Sequence, residues 1–157
     1  MSENEILNQL ELARKAGQRI VATNGCFDIL HIGHLRYLEE SKNLGDILVV
    51  GLNSDSSVKA LKGPSRPINN QLDRAELLVG LKPVDFVIIF EEENACNFLK
   101  KVKPDIYTKG GDYKPDELKK WPEYKTAQDL GCRIEIISLI EGKSSTQTIT
   151  KINDASL

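Results

Sequence analysis

Apolar runs and amphipathic stretches alternate along the chain and divide it into short strands and helices. Between residues 5 and 16, Ile6, Leu7, Leu10 and Ala13 recur at helical spacing, and Gly17 supplies a stop. RIVATN, residues 19–24, reads as a buried strand, and Leu35, Leu38 and Leu44 mark a helix ending at Gly45. ILVVGLN, residues 47–53, is apolar almost throughout, the pattern of a parallel strand covered on both faces. A short helix over 54–61 leads into KGPSRPINN (62–70), a loop with two prolines and a glycine. Helix 71–81, strand 86–90, helix 94–102 and strand 105–110 follow. A helix near 124–130, strand 133–139 and a final helix over 145–153 complete the pattern.

Five strands alternating with helices predict a single α/β domain built on a doubly wound parallel sheet, without internal repeat or linker. Ligands of such sheets bind beyond the C-terminal ends of the strands. The segments that follow strands are therefore the candidates for chemistry: GCFDILHIGH (25–34), residues 53–55, KGGD (109–112) and GKSST (142–146).

Composition narrows the partners. A formal net charge of −2 leaves no basic footprint for nucleic acid, although lysines can still gather around one phosphate. Cys26, Cys96 and Cys132 form neither a CxxC pair nor a disulfide framework, which suits a reducing compartment. No run reaches the ~20 apolar residues that span a bilayer, and the polar N-terminus has no signal-peptide core. A cytoplasmic protein with no membrane and no nucleic-acid partner is expected.

Both histidines of the chain stand in GCFDILHIGH. Gly25 leaves room for a ligand or a tight turn, and Gly33 does so at the start of the next helix, where unpaired N–H groups attract anions. His31 and His34 would donate hydrogen bonds to charge developing on a phosphate. A metal reading is weaker, because Asp28 is the only third ligand nearby and no cysteine has suitable spacing. A lone histidine would be read as a polar core or cap residue; two in a glycine-flanked strand-to-helix turn favour function. Lys109 can face phosphate, and Asp112 can accept from a ribose hydroxyl beside Gly110 and Gly111. Ser144 to Gln147 reads S-x-x-Q, a capping box whose hydroxyls and amides can also cradle phosphate, with Ser144, Ser145, Thr146 and the preceding Gly142 as candidates.

HxGH after GxFD resembles the signature of the HIGH-type nucleotidyltransferase superfamily, which includes cytidylyltransferases and relatives of class I tRNA synthetases. TNGCFDILHIGHLRYLEESKNLGD, VGLNSDSSVKALKGPSRPIN, VDFVIIFEE, KGGDY and EGKSSTQTITKI follow the order and spacing of one branch, the adenylyltransferase domain of ADP-heptose synthases. The match spans residues 19–152, behind an N-terminal helix within residues 1–17. It implies a Rossmann-like sheet of strand order 3-2-1-4-5.

The resemblance also implies the chemistry. An oxygen of D-glycero-β-D-manno-heptose 1-phosphate attacks the α-phosphorus of ATP in line, giving ADP-heptose and pyrophosphate without a covalent enzyme intermediate. His31 and His34 match the two signature histidines, and Lys62 a lysine that reaches the reacting phosphates. Cys26 and Phe27 occupy positions whose backbone faces the nucleotide, and Arg74 matches an arginine that holds phosphate. Arg66 either holds phosphate or braces its loop, and Lys59 is a less secure candidate. Some relatives carry arginine where Leu139 stands, a charge that Lys143 can replace. Mg²⁺ is expected to arrive with the triphosphate and no protein ligands are designated for it; Asp28 either orients the glycine loop or holds a metal-bound water. A homodimer is implied, served by a separate sugar kinase and phosphatase. Cytidylyl or guanylyl transfer to another sugar phosphate or to glycerol 3-phosphate is the alternative, and a non-catalytic nucleotide-binding regulatory module the rival from another class.

Overall fold

A computed structural model of the chain describes residues 1–155. Helix α1 (Glu3–Lys15) is capped by Ser2 and Glu5 in a reciprocal box and lays Ile6, Leu10 and Ala13 against the core. Strand β1 (Ile20–Gly25) enters helix α2 (Ile32–Lys42), and β2 (Ile47–Asn53) enters α3 (Asp55–Lys62). Helix α4 (Gln71–Val79) precedes β3 (Phe86–Phe90), and α5 (Cys96–Val102) precedes β4 (Ile106–Gly110). The short α6 (Pro115–Leu118), α7 (Pro122–Asp129), β5 (Arg133–Ile137) and α8 (Ser145–Ala155) follow.

All strand pairs are parallel and the order is β3-β2-β1-β4-β5, as the resemblance implied. The period-two alternation of side chains divides the apolar strands between two cores. Ile20, Ala22 and Val49 face a cluster with Ile6, Leu10, Phe98, Leu99 and Ala127, from α1, α5 and α7. Val21, Leu48, Val50 and Leu52 face the other cluster, with Tyr37, Leu38 and Leu78 of α2 and α4. Burial on both faces is why ILVVGL shows no polar alternation.

Three differences from the sequence reading have a local cause. Lys62 is the last residue of α3 rather than the first of the loop, because the stop is Gly63, whose N–H still bonds Lys59 O at 2.9 Å. Helix α6 was not anticipated; its single turn offers no apolar periodicity, starting at Pro115 and burying none of its residues. Proline at the first position also starts α7 at Pro122, two residues earlier than expected.

At Gly51 a side chain has no room: a Cβ there would stand 2.9 Å from the Phe98 ring, which packs directly on the strand. Gly51→Ala is expected to destabilise the fold by about 1–3 kcal/mol through overpacking. A lowered urea midpoint with an unchanged denaturant slope is the check.

Candidate active site

The C-terminal ends of β1 and β4, with the segments after β2 and β5, enclose a cavity of about 520 Å³. His31, His34 and Lys62 line it, as do Gly25, Cys26, Phe27, Gly33, Lys109, Gly110, Ser144, Ser145 and Thr146. Arg74, Asp112 and Gly142 do not. Asn24, Tyr37, Tyr113 and Ile140 also line the cavity, together with Asp28, Leu139 and Lys143.

The turn from β1 into α2 is sharply bent. Phe27 takes a left-handed φ of 45°, a strained state for a bulky residue, and its ring folds back over Gly25. A Cβ on Gly25 would lie 2.9 Å from that ring, which explains a glycine here. The Phe27 ring then meets His34 with centroids 5.3 Å apart, and His34 stacks on His31 at 3.9 Å.

Backbone amides fix the histidine tautomers. Gly33 N–H donates to His31 Nδ1 at 3.1 Å, and His31 N–H donates to His34 Nδ1 at 3.3 Å. His31 is thus the N-cap of α2, a role that sequence reading gave it only in general terms. With both Nδ1 atoms accepting, each neutral ring carries its proton on Nε2. Burial, and secondarily the charge of Lys143, holds His31 below its ordinary pKa. Burial lowers His34 further, to about 4, with help from His31 and Lys62. Both rings are neutral donors at pH 7.

Arg74 and Asp28 hold this turn from behind. The Arg74 side chain is fully buried and donates to Asn69 O (2.9 Å), Cys26 O (2.7 Å), Asn53 O (2.8 Å) and Asp55 Oδ1 (2.8 Å). Four of its five N–H donors bond the protein, so it braces three segments against one another. Asp28 accepts from Arg66 Nε (2.6 Å), Ile68 N–H (2.8 Å) and Asn69 N–H (3.0 Å), which pins the loop after α3 to the histidine turn. Burial raises the Asp28 pKa, but these hydrogen bonds outweigh it and the net shift is downward. Asp28 thus braces the loop through Arg66 Nε, while the buried Arg66 Nη2 has no hydrogen-bond partner among the described residues. Cys26, pushed upward by burial against the pull of Lys62, Arg74 and Arg66, remains a thiol.

A second helix start meets α2 across the cavity. Ser144 Oγ accepts from Gln147 N–H at 3.1 Å and caps α8, while Ser145 Oγ donates to Ile29 O at 3.0 Å, tying α8 to the histidine turn. Two helix N-termini and Lys62, Lys109 and Lys143 therefore surround one space, an arrangement selective for a polyanion. Leu139 and Lys143 both line it.

The donor set does not fit a resident metal. Asp28 is the one carboxylate of the lining, and its oxygens are occupied. Among the described residues no group of three or more His, Cys, Asp and Glu is placed to hold a metal ion. Among them, too, no helix is long and apolar enough to cross a membrane.

The cytidylyltransferase-like family profile matches residues 22–151. The chain belongs to that family. This cytidylyltransferase-like chain is 50% identical over 138 residues, 88% of its length, to the bifunctional protein HldE of Aliarcobacter butzleri. It is 46% identical over all 157 residues to the HldE of Hydrogenovibrio crunogenus. It spans only 28% and 32% of those two relatives. The crystal structure of the lipopolysaccharide core biosynthesis protein from Thermoplasma volcanium aligns with a TM-score of 0.63 at 38% identity, covering 81% of this chain and all of that one.

Two outcomes follow from the geometry. Arg74→Met leaves three backbone carbonyls without their donor, each costing about 1–3 kcal/mol, so chemical denaturation should show a loss of at least about 3 kcal/mol. The His34 pKa near 4 lies below the 6.5 of an unfolded chain. As pH falls from 6.5 towards 4, the unfolded state therefore takes up the proton first and stability is lost. His34→Gln should flatten that part of the stability profile, read as urea midpoints measured at pH 7 and pH 5.

Proposed function

We propose that this chain transfers an adenylyl group from ATP to D-glycero-β-D-manno-heptose 1-phosphate, releasing pyrophosphate and ADP-heptose. One observation carries the reading: two stacked neutral histidines, both presenting Nε2–H, stand between the lysine-bearing segments that follow β2 and β5. Such donors stabilise charge that grows on a phosphate in the transition state without first losing a proton. The matched relatives, named bifunctional and more than three times as long, support assigning this chain one of their activities.

An oxygen of the sugar 1-phosphate attacks the α-phosphorus, and the bond to the β-phosphate oxygen breaks on the opposite side. The chain's part is positioning and charge compensation. His31 and His34 donate to the oxygens of the α-phosphate. Lys143 and the start of α8 hold the departing pyrophosphate, and Lys62, at the exposed end of α3, closes on the reacting phosphates from the other side. The divalent cation enters as MgATP, held by the triphosphate. The same reading assigns a cytoplasmic homodimer supplied by a sugar kinase and a phosphatase.

Pyrophosphate release from ATP, CTP and GTP, each with the heptose 1-phosphate and with glycerol 3-phosphate, tests the assignment. ATP with the β-heptose 1-phosphate is expected to turn over. His31→Ala and His34→Ala should each lower kcat by about 10²–10³, the usual cost of one oxyanion donor. Turnover with CTP alone would move the chain to cytidylyl transfer, and silence with every pair would sink the catalytic reading.

A further inference from the structure

Asn24 and Lys109 stand on neighbouring strands, one step beyond the Thr23–Thr108 pair in the β1–β4 register. The side-chain oxygen of Asn24 is claimed twice. Tyr107 Oη donates to Oδ1, and Lys109 Nζ donates to the same atom at 3.3 Å. An ammonium has no lone pair to offer, so the atom it meets must be the carbonyl oxygen, and the amide has one orientation. Tyr107 is fully buried, and burial holds its proton on, so it acts as a donor. The Asn24 amino group is thereby turned away from both neighbours. It forms no hydrogen bond among the described residues, and Asn24 lines the cavity.

Lys109 likewise forms no ion pair among the described residues; its ammonium lies 5.8 Å from the Tyr107 ring and 5.5 Å from the Trp121 ring. Beside this pair the cavity changes character. Tyr113, Leu139 and Ile140 remain 42%, 55% and 40% exposed, an apolar ledge unlike the wall of lysines and helix starts. A flat, uncharged group with several acceptor atoms fits such a ledge.

We infer that Asn24 and Lys109 read the nucleoside half of the nucleotide, donating to its ring-nitrogen and hydroxyl acceptors while the base lies on Tyr113, Leu139 and Ile140. Asn24 and Lys109 are contact residues, and Tyr107 is a positioning residue that acts through the Asn24 amide. The inference rests on the nucleotidyl-transfer reading.

Calorimetric binding of ATP and of inorganic tripolyphosphate, which has the phosphates without the nucleoside, separates the possibilities. Asn24→Leu removes the donors at nearly constant size and should weaken ATP about tenfold, the loss expected of a hydrogen-bonding group. Tripolyphosphate should bind it as it binds the parent. Tyr107→Phe leaves the cavity wall intact, frees the amide to rotate, and should weaken ATP about threefold with tripolyphosphate unchanged. Equal weakening of both ligands would give the pair to the phosphates and overturn the inference, as would unchanged ATP binding in both variants. A parent protein that binds neither ligand would overturn the nucleotidyl-transfer reading itself.

Discussion

The buried Arg74 guanidinium is the constraint on which the site depends. Carbonyls at Cys26, Asn53 and Asn69 lie in three separate segments, and one planar cation reaches all three. A fixed fork of donors suits this task as a lysine would not. Burying a charge is costly, and Asp55 at 2.8 Å with three carbonyl dipoles compensates it. The left-handed Phe27 is held one residue beyond the Cys26 carbonyl that Arg74 grips. Strain at the histidine turn is thus matched by a brace behind it, and the ring that covers Gly25 is placed as a result.

From that turn the electrostatics follow. Capping of α2 by His31 and of the His31 amide by His34 directs both Nδ1 atoms inward to the backbone and both Nε2 atoms outward. Nearby Lys143 and Lys62 discourage protonation of the same rings, so the pair stays neutral among cations. Charge complementarity for a polyanion is carried by lysines and helix termini. The histidines contribute directional donors that do not have to change protonation state.

The sheet and the positions of the four candidate segments were legible because both follow from periodicity: strands buried on both faces read as unbroken apolar runs, and ligand segments must follow strands. The HxGH histidines were legible from residue type and flanking glycines. Arg74 was not, since a phosphate ligand and a buried brace present the same letter, and only its three carbonyl partners decide between them. Asp28 and Arg66 were undecidable for a related reason. Their partnership spans 38 residues of sequence, and no local pattern announces it. Asn24 is the last residue of RIVATN, a run that reads only as a buried strand. Its orientation depends on Tyr107, which the apolar pattern of β4 marks only as core.

A net charge of −2 conceals a directed arrangement. At the N-terminal edge of the sheet, Asp46, Asp85 and Asp105 each accept a backbone N–H at 2.7 Å, from Arg19, Leu48 and Ile20. Those carboxylates satisfy amides that strand pairing leaves open at the start of the sheet. The opposite edge holds Lys62, Lys109 and Lys143 with two helix N-termini, and its one buried carboxylate, Asp28, is neutralised by Arg66. Asp85 also pairs with Lys42, so the N-terminal edge carries charges of both signs, whereas the cavity edge gathers cations. An approaching polyanion is drawn to the cavity edge, although the chain as a whole carries a net charge of −2. Composition reports the sum, whereas the parallel arrangement of every strand supplies the direction.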